Sequence, residues 1–145
     1  MNTSYVPYFR TSRYRVKTMV ELSEIKKGER MCDLGAGDGR IVVEFAKAGA
    51  ETCGYELDEE LVKRSRDEIE KNKLLNAKIY QKDFWKEDLS LYDVITVYPM
   101  PDVMERLEAK LLKELKKGAK VLVNYYTFEN WGYEKTRDNI YLYRK

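Results

Sequence analysis

Three glycines alternate in the stretch Met31-Cys32-Asp33-Leu34-Gly35-Ala36-Gly37-Asp38-Gly39-Arg40, directly after a short apolar run, and it is here that the chain can do chemistry. If a strand ends and a helix begins at this point, main-chain N–H groups point at a ligand, and the missing Cβ atoms let that ligand come close. The spacing is Gly-x-Gly-x-Gly, with the acid Asp33 ahead of it. A dinucleotide site uses Gly-x-Gly-x-x-Gly to seat a pyrophosphate, so the tighter turn suits a ligand without phosphate and argues against a nicotinamide cofactor. Twenty-one residues beyond Gly35, Glu56 closes the run Glu51-Thr52-Cys53-Gly54-Tyr55-Glu56. A carboxylate at the tip of that second strand can accept from both hydroxyls of a ribose.

The elements that must hold these groups follow from hydrophobic periodicity. Thr11 or Ser12 caps a helix with Val16, Met19, Val20 and Ser23 on one face, stopped by Lys26-Lys27-Gly28. Strands are expected at 31–34, 52–56, 77–81, 93–98, 121–126 and 140–143. Between them lie helices at 40–48, at 58–73 with Leu61, Ser65 and Ile69 inward, and from Asp102 with Val103, Leu107, Leu111 and Leu115 inward. Alternating strands and helices predict an α/β domain: a Rossmann-like, seven-stranded or slightly reduced, mostly parallel sheet with helices on both faces. The short final link predicts an antiparallel edge strand at the C-terminus. A single domain is expected, residues 13–145, preceded by an aromatic segment, 1–12, that packs near the ligand because Tyr5, Tyr8 and Phe9 are costly to leave in water.

Composition narrows the chemistry. Among 145 residues there is no histidine, which removes the usual general base and the usual zinc ligand, so no metal site is expected and acid–base work falls to carboxylates, tyrosines or water. Cys32 and Cys53 fall inside strands, where thiols behave as small buried apolar groups. A net charge of only +2 lacks the basic field of a dedicated nucleic-acid binder. No leader segment and no membrane-spanning run is evident, so a soluble cytoplasmic protein with no membrane partner is expected. Asp33, Glu56, Asp83 and Tyr98 all sit at the carboxyl ends of expected strands, the rim where open sheets of this kind bind ligands.

The glycine motif with Asp33 and Glu56 resembles the Rossmann-like S-adenosylmethionine-dependent methyltransferases. Further motifs narrow the resemblance to the small archaeal protein-lysine methyltransferases and their eukaryotic relatives that modify ATP-synthase c-subunit lysine. These are Pro7-Tyr8-Phe9-Arg10-Thr11, Gly54-x-Glu56, and Leu111-x-x-Glu114-Leu115-Lys116-x-Gly118. The resemblance runs over nearly the whole chain.

It implies S-adenosyl-L-methionine as cofactor and the side-chain amine of lysine in protein substrates as acceptor. It implies that Gly35 and Gly37 pass under the amino-acid part of the cofactor, that Asp33 accepts from its ammonium directly or through water, and that Glu56 holds the ribose. Leu57 and Phe84 sandwich the adenine, Asp83 accepts from its exocyclic amine, and Tyr8 and Thr11 belong to the same cofactor set. Tyr98 is the candidate catalytic residue beside the methyl position. Tyr126 and Trp131 are candidate substrate walls, with core packing an equal alternative for Trp131.

Departures from the family pattern bear on the substrate. Arg10 and Ser12 replace prolines, and Asn124-Tyr125-Tyr126 stands where relatives tend to carry Ser-His-acid. Tyr98-Pro99-Met100-Pro101 is a poor match to the Asp- or Asn-Pro-Pro-aromatic motif of nucleic-acid amino-methyltransferases. Rival readings are that nucleic-acid class, a small-molecule N-methyltransferase, and a non-catalytic S-adenosylmethionine-binding protein. Oligomeric state is left open.

Overall fold

The computed structural model describes residues 10–145. The expectations for Tyr8 and for residues 1–9 of the aromatic segment lie outside the described residues.

Among the described residues seven strands form one sheet in the order β3-β2-β1-β4-β5-β7-β6. They are β1 (Arg30–Leu34), β2 (Glu51–Tyr55), β3 (Ala77–Tyr80), β4 (Val94–Val97), β5 (Lys120–Asn124), β6 (Lys135–Arg137) and β7 (Ile140–Arg144). The first five run parallel, β7 is antiparallel to β5, and β6 is antiparallel to β7. Strand order reverses between β1 and β4, which opens the crevice such sheets use for ligands. The expected mostly parallel sheet with an antiparallel C-terminal edge is what forms, with one addition. The edge strand is β6, which the sequence did not suggest, and β7 lies inside it.

Among the described residues four helices, α1 (Arg13–Ser23), α2 (Arg40–Lys47), α3 (Glu59–Lys71) and α4 (Met104–Glu114), cover the two faces. Val16 and Met19 of α1 and Ile41 and Phe45 of α2 pack on Met31, Val94 and Leu122. Val62 and Ile69 of α3 pack with α2 against Ala77 and Ile79. The opposite face takes Leu107 and Leu111 of α4, with Phe128 and Tyr143, against Cys32, Leu34, Ile95 and Val123. This alternation along each strand follows from the two-residue period of a sheet covered on both sides.

Helix ends are set locally. Ser12, not Thr11, caps α1, its side chain accepting from the Arg15 N–H at 3.3 Å. Asp58 caps α3 by accepting from the Leu61 N–H at 3.1 Å, with Glu59 and Glu60 in the first turn and Lys71 in the last, all suited to the helix dipole. Two expectations need correction here. Val62, not Leu61, turns inward on α3 with Ser65 and Ile69. The helix expected from Asp102 begins at Met104, because Pro101–Val103 form a 3₁₀ turn ahead of it. Among the described residues no helix is long and apolar enough to cross a membrane.

Candidate functional site

The glycine turn follows β1 at the reversal point. Gly35, Gly37 and Gly39 have φ of 79°, 56° and 84°, in the left-handed region that side chains resist. The N–H groups of Gly35 and Ala36 both donate to the Tyr55 carbonyl at 2.9 Å, which ties the turn to the end of β2. Among the described residues a Cβ added at Gly35 would meet nothing within 4 Å, so the backbone there faces space that a ligand can fill. Gly39 and Gly54 are crowded instead. A Cβ at Gly39 would lie 2.7 Å from Ser65 Cβ, and one at Gly54 would lie 2.5 Å from Ala36 Cβ. Within the motif, Gly35 is left open and Gly39 is required for packing against α3, while Gly54 on β2 makes room under the turn.

Glu56 stands beside this opening. Gly37 N–H donates to its Oε1 at 2.7 Å and Asp58 N–H donates to its Oε2 at 3.0 Å. Each carboxylate oxygen thus keeps further acceptor capacity after fixing one loop. Sequence reasoning assigned Glu56 a ligand and missed this clasp between the loops after β1 and β2.

Asp33 lies lower than expected. It is 2% exposed, on the face covered by α1 and α2, and accepts from the Thr96 hydroxyl at 2.8 Å. Burial pushes its carboxyl well above the usual range, with the Thr96 hydrogen bond opposing that push. Its place is under the turn, joining β1 to β4.

Thr11 is buried, and its carbonyl accepts from Arg40 Nη1 at 3.1 Å. Arg40 also pairs with Asp38 at 2.6 Å, so the stretch before α1 is anchored to the glycine turn. Leu57 is exposed just past Glu56. Asp83 caps the 3₁₀ turn Phe84–Lys86 by accepting from the Trp85 N–H at 3.0 Å. Phe84 is half-buried, its ring 4.7 Å from Trp85. Leu57, Asp83 and Phe84 follow β2 and β3, on the same side of the reversal point as the glycine turn.

Tyr98 follows β4. Its ring lies 5.5 Å from that of Tyr125, which follows β5 with a left-handed φ of 68°. Arg15 from α1 stacks over Tyr125, its guanidinium carbon 4.1 Å from the ring centre, while Nε donates to the Asp138 carbonyl at 3.1 Å. Burial raises the Tyr98 phenol, and the charge of Arg15 acts in the opposite direction. Tyr125 and Tyr126 are both exposed at the rim. Arg15 and Tyr125 were missed in the sequence. Arg15 sits on a helix among other cations, with no local signal that the fold would lay it on an aromatic ring 110 residues away.

Trp131 is not brought to this rim. Its indole N–H donates to the Arg144 carbonyl at 3.2 Å, and its ring stacks on Phe128 and packs on Tyr143. Arg144 pairs with Lys120 at the start of β5, so Trp131 lies toward the amino ends of the parallel strands. The substrate-wall expectation for Trp131 is corrected to core packing.

The ANTKMT methyltransferase domain matches residues 33–135. A protein-lysine N-methyltransferase of Saccharolobus islandicus is 33% identical over 130 residues, covering 88% of this chain and 81% of that protein. The ATP-synthase c-subunit lysine N-methyltransferase of Rattus norvegicus is 35% identical over 127 residues, covering 87% of this chain, and this chain spans 58% of its length. Among solved structures, an RNA methyltransferase from Salinibacter ruber in complex with S-adenosyl-L-homocysteine superposes with a TM-score of 0.87 and 30% identity, covering 94% of this chain and 92% of that one.

Proposed function

The chain belongs to the ANTKMT methyltransferase domain family, and from that premise we propose that it transfers a methyl group from S-adenosyl-L-methionine to the side-chain amine of lysine in protein substrates. The observation that carries the cofactor half is the open space over Gly35 beside a Glu56 carboxylate with acceptor capacity to spare. The likeness to the Saccharolobus islandicus enzyme over most of its length supports the lysine half.

Gly35 and Gly37 offer backbone to the amino-acid part of the cofactor, Glu56 takes the ribose, and Leu57 with Phe84 flanks the base. Asp83 accepts from the base's exocyclic amine, and Thr11 closes the set from the α1 side. Asp33 acts from beneath, holding the turn through Thr96. When bound, the cofactor supplies an electrophilic methyl on a sulfonium.

The protein's remaining work is to align a nucleophile and keep water out. A lysine amine at pH 7 must first lose a proton, at about 4.6 kcal/mol from an unperturbed pKa near 10.4. Tyr98, Tyr125 and Tyr126 would wall that amine and disfavour its charged form by desolvation. Arg15, held over Tyr125, adds a positive charge acting in the same direction.

The Salinibacter ruber likeness favours a second reading, methyl transfer to RNA. Incubation with labelled S-adenosylmethionine and a cell lysate, followed by digestion to free amino acids, separates the two. Label in methylated lysine is the expected result, and label confined to nuclease-sensitive material would replace lysine with RNA.

A further inference from the structure

Beside Tyr125 and Tyr126 the rim opens into a cleft of about 470 Å³ between the start of α4 and the segment after β5. Its charged lining consists of Asp102, Glu105, Glu108 and Glu129. Among the described residues none of these four carboxylates makes a salt bridge, whereas Asp38, Glu87, Asp93 and Glu114 elsewhere on the molecule do.

The cations of α4 that flank these acids are turned elsewhere. Arg106 stacks on Trp85 at 4.0 Å, and Lys110 pairs with Glu114 at 2.8 Å while donating to the Trp85 and Glu87 carbonyls. The dipole of α4 accounts for Asp102 and Glu105 near its first turn. It does not account for Glu108 or Glu129.

Glu108 is the informative member. It is 6% exposed, and both its oxygens share a single donor, the Asn130 N–H, at 3.4 and 3.2 Å. A carboxylate has about four acceptor sites, and a buried one is ordinarily paired with a cation or well supplied with donors. Here neither is present among the described residues, and the side chain lines a concave, solvent-open space. Low-dielectric walls around carboxylates of one sign focus the field and draw a cation in.

We infer that this cleft docks a lysine or arginine neighbouring the acceptor lysine, so that the preferred substrates are basic protein segments. The inference rests on the lysine reading of the site and deepens it. Tyr125 and Tyr126 belong to both spaces, forming the wall proposed for the acceptor amine and the near lip of the cleft. Nucleic acid is disfavoured at the same place, since its phosphates would face uncompensated carboxylates.

The test uses peptides of equal length, each with one acceptor lysine and with flanking residues changed to arginine, alanine or glutamate. Methylation is followed with labelled S-adenosylmethionine at two salt concentrations. The arginine-flanked peptide is expected to show a KM about tenfold below that of the alanine-flanked one, with similar kcat and a preference that shrinks as salt rises. Glu105→Gln with Glu129→Gln, both at exposed positions, should bring the arginine-flanked peptide to the KM of the alanine-flanked one. Glu108→Gln should do so alone, with titration of S-adenosylhomocysteine as the control for folding. Equal KM values for all three peptides, with label in methyllysine, would overturn the docking cleft and leave the lysine reading standing. No label in any peptide, with S-adenosylhomocysteine still bound, would remove the lysine reading and this inference with it.

Discussion

At the β1–β2 side of the rim the surface offered to a ligand is largely main chain, laid over glycines and clasped by a carboxylate that is itself held by two amides. At the β4–β5 side the corresponding surface is side chain: three tyrosines, an arginine stacked on one of them, and acids along a cleft. The first side is crowded from below, so that a single methyl group at Gly54 would collide with Ala36. The second carries its exposed tyrosines, Tyr125 and Tyr126, on the irregular segment beyond β5. On the proposed function, a ligand of fixed shape would be met by clasped backbone and a protein substrate by side chains.

Four substitutions put that contrast to the test. The largest effect is expected from Glu56→Ala, which removes the proposed ribose acceptor and the clasp on Gly37 and Asp58 together. S-adenosylhomocysteine affinity should fall about a hundredfold by calorimetry, and an unchanged affinity would remove the basis for the cofactor site. Next, Gly54→Ala should cost about 2 kcal/mol of stability by overpacking. At roughly 2–4 °C per kcal/mol for a chain of this size the melting temperature should drop by about 5 °C, and a variant as stable as its parent would show that the space under the turn can yield.

On the other side, Tyr98→Ala should lower kcat about tenfold while cofactor affinity stays within twofold. Equal losses in both would erase the distinction between the two halves. The smallest effect is a pH dependence at Asp33. Burial raises its pKa in the folded state, so the stability it contributes is fully present below the ordinary aspartate value near 3.9 and is lost as pH rises through the folded value. Asp33→Asn keeps an acceptor for Thr96 and lacks this loss. Urea unfolding should therefore show the variant gaining on its parent between pH 4 and neutrality, and a difference independent of pH would contradict the assignment.

The backbone side of the site was also the more legible in the sequence. Glycine spacing, the strand-end acid and the Asp58 cap each follow from local chemistry that a linear pattern carries. The tyrosine side was read only in part. Tyr98 and Tyr126 could be placed at strand ends, but Trp131 could not be told from a core residue, because an aromatic near a strand has the same pattern in either role. Arg15 and Glu108 draw their significance from partners distant in the chain.

The edge strand β6 escaped for a different reason. Lys135, Thr136 and Arg137 are all exposed, so no apolar alternation marks them. The available signal was the turn, since Asp138 and Asn139 both take left-handed φ, at 55° and 61°, as a two-residue hairpin requires.

That unmarked strand has a bearing on how the protein survives in a crowded solution. A sheet that ends in an open row of amides invites a foreign strand to extend it, and fibril growth starts from such invitations. Here the row is guarded by Lys135 and by Arg137, the latter tethered to Glu21 at 2.7 Å. Any intruder would have to strip water from two cations before reaching the first free amide.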